Sequence, residues 1–152
     1  MQNINPDIHD IRIYQKLGRV DAKSLETVDQ LLLILPAKPS GAVFGKLPQG
    51  AKMQAVYRKH ASGSTPAFST RLTNKKQTLV VGGTIAADAS TFEQLTLGRK
   101  LVAAATSQKA GSLGICAVGF STAAQTCIVN SILAAALAAA FKLPSYKSKP
   151  EP

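Results

Sequence analysis

A metal centre, an acid–base pair, an activated nucleophile or a phosphate cradle each requires particular residue types at particular spacings. A metal ion needs a cluster of imidazole, thiolate or carboxylate donors. His9 and His60 stand alone, and Cys116 and Cys127 have no CxxC or HxxxH neighbour. The histidines read as surface residues and the cysteines as reduced core packing. Asp88 and Glu93 are the only carboxylates between Gln30 and Pro150. Glu93 has the spacing of a capping partner to Ser90, and Asp88 precedes the same helix, where negative charge suits the N-terminus anyway. A nucleophilic serine on a strand-to-helix elbow would show GxSxG. Gly119-Phe120-Ser121 does not supply it, and Ser121 is the residue type expected just before a helix. Gly82-Gly83-Thr84 follows a strand pattern and suggests a phosphate cradle, but neither GxGxxG nor the Walker pattern is present. A turn needing positive φ explains the two glycines equally well. No catalytic residue and no metal ligand emerges from these patterns.

Charge is the second source of function. The formal net charge is +10. No acidic residue occurs from Gln30 to Ala87, while Lys38, Lys46, Lys52, Arg58, Lys59, Arg71, Lys75 and Lys76 are basic. Such asymmetry attracts phosphate polyanions or an acidic protein surface. The plainer reading is a solvated surface whose balancing acids lie on a part of the protein outside this chain. Arg71, Lys75 and Lys76 fall on and beside an expected hairpin turn, a shape able to follow a phosphate backbone. With no tryptophan, single-strand stacking has little to work with.

The elements that must position these groups follow from periodicity. Ile11 and Ile13 alternate with polar neighbours as in a half-buried strand. Gln30 to Pro36 is a continuous apolar run, as in a strand covered on both faces. Ala51 to His60 reads as a short helix with Met53, Val56 and Tyr57 on one side. Ala67 to Thr73 and Thr78 to Val81 read as a hairpin, the second strand ending at Gly82-Gly83. Ser90 to Ser107 reads as a helix with Phe92, Leu95, Val102 and Ala105 lining one face. Gly98 in its middle is tolerable if another backbone packs there. Leu113 to Val118 is a further strand.

The last element, Thr122 to Lys142, reads as a helix capped by Thr122 and Gln125 and stopped by Pro144. It is apolar on nearly every side, so the other elements are expected to cover it. Its alanines and the interruption at Asn130 and Ser131 argue against a membrane span. The amino terminus lacks a secretory layout, which makes the cytoplasm the expected compartment. Alternating strands and helices in a chain of 152 residues imply one domain with a mixed sheet.

Several stretches, taken in order, resemble a known family. They are ETVDQLLLILPA, QTLVVGG, LGRKLVAAA, GICAVGF and the closing ILAAALAAAFKLPSYKSKP. Together they are similar to the amino-terminal domain of leucyl aminopeptidases, the two-metal cytosolic aminopeptidases. Phe141-Lys142-Leu143-Pro144 departs from that family's Tyr-Arg-Phe approach to the linker. The resemblance implies a three-layer α/β/α fold that is macro-domain-like. It implies a single domain over residues 1–144, with 145–152 starting a linker in which Tyr146, Lys147, Ser148 and Lys149 match the family's inter-domain segment. It further implies a parent hydrolase that releases amino-terminal residues from peptides with two divalent ions, zinc or manganese. That parent works within a homo-oligomer, usually a hexamer, with this domain partnered by its own catalytic carboxy-terminal domain. The family's NTDAEGR-like signature belongs to that second domain and is absent here, so the chain is expected to be catalytically inert and to be an excised or truncated piece. Some bacterial relatives also bind DNA, which keeps a nucleic-acid-binding module as the alternative. A macro-type domain holding ADP-ribose or another nucleotide is a third, resting only on Gly82-Gly83.

Overall fold

The apolar run that contains no charge between Gln30 and Pro36 becomes β1, the centre of the sheet, with Leu31 to Leu35 almost wholly buried. The computed structural model describes residues 21–60, 67–106 and 112–140. In chain order the elements are α1 (Ala22–Leu25), β1 (Gln30–Pro36), α2 (Gly41–Gly45), α3 (Gly50–His60), β2 (Ala67–Arg71), β3 (Leu79–Ile85), α4 (Thr91–Thr106), β4 (Leu113–Ala117) and α5 (Thr122–Ala140). The sheet order is β2-β3-β1-β4. β1 runs parallel to β3 and β4, and β2 is antiparallel to β3, so the sheet is mixed. The expected strand at Ile11 and Ile13, the stop at Pro144 and the linker residues Tyr146 to Lys149 lie outside the described residues.

Because strand side chains alternate, β1 feeds two cores. Leu32 and Ile34 join Val81, Leu101, Ile128 and Ile132 under α4 and α5. Leu31, Leu33 and Leu35 join Phe44, Met53 and Phe68 on the other face, with α1, α2 and α3. Helices therefore cover both faces of a mixed sheet, and the α/β/α layering expected from the alternation of elements is present.

Several local expectations are corrected. Gly82 and Gly83 do not turn the chain; both lie inside β3. A Cβ at Gly82 would sit 2.4 Å from Cζ of Phe68, so glycine there makes room for the ring. Helix α4 has the Ser90–Glu93 capping box, the Glu93 N–H donating to Ser90 Oγ at 3.1 Å. Its buried face, however, is Gln94, Leu97, Leu101, Val102 and Ala105, and Phe92 is 71% exposed. Nine residues separate Phe92 from Leu101, which at 100° per residue puts the two on opposite sides of α4. Helix α5 is capped by Ser121, whose Oγ accepts from the Ala124 N–H at 3.2 Å. Gln125 instead donates to the Ala117 carbonyl at 2.8 Å, because it stands one residue too far along to close a capping box.

The largest correction concerns α5 itself. Only 17% of the residues from Thr122 to Ala139 are buried. Ile128, Ile132 and Ala135 form a single inward stripe, and Gly98 of α4 lets that stripe approach closely. A Cβ at Gly98 would lie 2.9 Å from Ala135 Cβ and 3.4 Å from Ile132 Cα. Among the described residues, the helix is fully buried along this one stripe, with Val129, Leu133 and Leu137 half-buried beside it.

Candidate functional site

Three places gather residues that could act on something else: the basic hairpin, two shallow grooves beside α4, and the side of the molecule formed by β4 and α5. At the hairpin, Arg71 ends β2, and Lys75 and Lys76 form the turn. The α3 amine of Lys52 donates to the Arg71 carbonyl, which adds a fourth cation to the cluster. Sequence reasoning missed Lys52 as part of this site, since nothing in the spacing joins α3 to the hairpin. Two of the three expected phosphate contacts are engaged locally. The Arg71 guanidinium donates to the Gln77 carbonyl at 3.0 Å, and the Lys76 ammonium lies 3.5 Å from Asp29. Asp29 also receives the Ser112 N–H at 3.2 Å, and Thr78 Oγ1 lies 2.9 Å from the Leu25 and Val28 carbonyls. The turn is thus tied to the loop beneath it, and Lys75 faces outward from a fixed base.

One groove, about 380 Å³, lies at the C-terminal ends of β1 and β3, where open α/β sheets receive ligands. Thr84, Phe92, Glu93 and Lys100 rim it over a floor of Ile85 and Leu97. The other, about 500 Å³, runs between the start of α4 and α5 past Asp88, Gln94, Cys127, Asn130 and Ser131. Gln94 is buried there, and its Oε1 accepts from Ser131 at 2.7 Å, which fastens α5 to α4. Neither groove holds a nucleophile with an adjacent base. Among the described residues no three His, Cys, Asp or Glu side chains stand together as metal donors.

The cysteines separate. Cys116 on β4 is buried, and burial pushes its thiol up to about 11, so it stays protonated and unreactive at neutral pH. Cys127 is a free thiol on the exposed surface of α5, contrary to the expectation that both pack in the core. His9 and the side chain of His60 lie outside the described residues. The nucleotide-cradle expectation loses its one support, because Gly82-Gly83 is strand and packing rather than loop.

The β4–α5 side has a different chemistry. From Leu113 to Ala140 no residue is charged. By length and composition α5 could cross a membrane, although its stripe is seated on protein. No protein-family model, curated protein or solved structure matches this chain.

Proposed function

We propose that this chain is a non-catalytic contact domain, of the kind that leucyl aminopeptidases carry at their amino-terminal end, serving subunit contacts and access to an active site built elsewhere. The observation that carries the reading is α5. A 19-residue apolar helix that, among the described residues, fully buries only Ile128, Ile132 and Ala135, with Val129, Leu133 and Leu137 half-buried, leaves apolar side chains that a partner domain could cover further. The sequence resemblance runs through this same helix to the segment Tyr146 to Lys149. On this reading the parent enzyme is a cytoplasmic metalloaminopeptidase, and its zinc or manganese ions sit in the partner domain. The test is to incubate the full gene product with peptides and divalent metal. Metal-dependent release of amino-terminal residues, abolished by a chelator, is the expected result. An intact parent that releases none would refute the aminopeptidase reading.

A second reading, nucleic-acid binding, is favoured by the convergence of Lys52, Arg71, Lys75 and Lys76 at one end of the sheet. Phosphate contacts of this kind release counterions, so binding to duplex DNA must fall steeply as salt rises. Affinity that is flat with salt, or unchanged by Lys75→Ala, would refute it.

A further inference from the structure

The groove at the carboxyl ends of β1 and β3 follows from how the chain leaves those two strands. They are parallel neighbours, with Pro36 beside Ile85. After β1 the chain passes to α2, whose Phe44 packs on the Leu33 face of the sheet. After β3 it passes to α4, whose Leu101 packs on the Leu32 face. Connections that depart to opposite faces leave a crevice between the strand ends, and open α/β sheets take their small ligands there. Ile85 and Leu97 floor this crevice, and the exposed Phe92 stands at its margin.

Two opposite charges line the same groove. Glu93 and Lys100 are seven residues apart on α4, about 20° short of two full turns. Both therefore stand on one flank, about 10.5 Å apart along the axis. Glu93 Oε1 accepts from Ser90 Oγ at 3.2 Å, and the second carboxylate oxygen has no partner among the described residues. The Lys100 ammonium and the half-buried Thr84 hydroxyl have none among them either.

We propose that this groove holds a short zwitterionic peptide, its free amino terminus at Glu93, its free carboxylate at Lys100 and its apolar side chains over Ile85, Leu97 and Phe92. Spacing selects the length. Two extended residues span about 7 Å. A charge-assisted hydrogen bond of about 2.8 Å at each end brings the reach to roughly 12 Å, close to the rise between Glu93 and Lys100. The groove volume of about 380 Å³ is in the range of small-ligand sites. A single amino acid holds its two charges too close together to meet both ends. A simple anion would pair with Lys100 but face the like charge of Glu93.

The inference goes beyond the contact role proposed above and does not rest on it. Its test is a titration of the 152-residue chain with phenylalanyl-leucine at pH 6.5, where the peptide amine is protonated, followed by amide NMR. Shifts centred on Thr84, Ile85 and Leu97 are expected, with free phenylalanine binding more weakly than the dipeptide. Acetylating the amine or amidating the carboxylate should each weaken binding about two- to five-fold, the worth of one exposed ion pair. Glu93→Gln keeps a residue able to close the capping box and should abolish only the acetylation penalty. Lys100→Gln should abolish only the amidation penalty. Shifts that are absent or centred elsewhere, blocked peptides that bind as tightly as the free one, or variants that leave both penalties in place overturn the site. So does 3-phenylpropionate binding as tightly as the dipeptide. Dipeptide binding beside a parent without aminopeptidase activity refutes the aminopeptidase reading alone. An active parent whose groove ignores the dipeptide refutes this site alone.

Discussion

The two edges of the sheet are built in opposite ways. At the β2 edge the outward residues are Ala67, Ser69 and Arg71, since the Leu72 N–H bonds the Thr78 carbonyl and the ladder alternates from there. Helix α3 lies against this edge, and Lys52 occupies the Arg71 carbonyl. Covering an edge and loading it with cations are the usual means by which a sheet refuses a further strand. Among the described residues the β4 edge has neither device: it carries no charge, and no further strand pairs with it. One described edge is guarded by cations, and the other carries none.

That contrast can be broken from either side. The strongest disruption should come from Ile132→Ala, which empties the seam holding α5 over β4. Loss of a fully buried isoleucine is expected to lower stability by about 2–5 kcal/mol, read as a fall in the urea midpoint. Gly98→Leu attacks the same seam by overpacking against Ala135 and Ile132, at about 1–3 kcal/mol. If both were neutral, α5 would not be seated as described.

Cys116 supplies a probe of β4 through pH. Its thiol titrates at about 11 in the fold against 9.0 ordinarily. The folded state holds the proton more tightly, so this contribution is complete below pH 9 and is lost as pH rises toward 11. The loss amounts to at most about 3 kcal/mol, at ~1.4 kcal/mol per pH unit. Cys116→Ala should flatten that part of the stability–pH curve, and an unchanged slope would place the thiol in water. Alkylation sharpens the same point: Cys127 should react in the native protein and Cys116 only after unfolding.

The smallest effect belongs to the guarded edge. Lys52→Ala removes an exposed hydrogen bond and should change stability by less than about 1 kcal/mol. Its informative readout is association. Uncovering the Arg71 carbonyl should leave the sedimentation of the chain as it was, because α3 still blocks β2. New oligomers in that variant would show that Lys52 alone guarded the edge.

Much of this architecture was legible in the residues. The uninterrupted apolar run at Gln30–Pro36 could only be a strand buried on both faces, and Ser90 with Glu93 fixed where α4 begins. Other features depended on contacts between elements remote in sequence. Gly82 reads as a turn until Phe68 is seen to rest on it. Phe92 shares a side with Leu95 on paper, but the stripe that meets the sheet is centred near Leu101, on the far side of α4 from it. Helix α5 looks like an enveloped core rod because composition reports how apolar a helix is and not how many neighbours it has. Sequence also gave no sign that Lys52 would reach the hairpin, since the pairing spans a fold-dependent distance.

Amide hydrogen exchange tests the description of the β4 edge most directly. The amides of Gly114 and Cys116, which the parallel register turns toward β1, should exchange slowly, and the outward amides of Leu113 and Ile115 quickly. Equal protection of all four would contradict it.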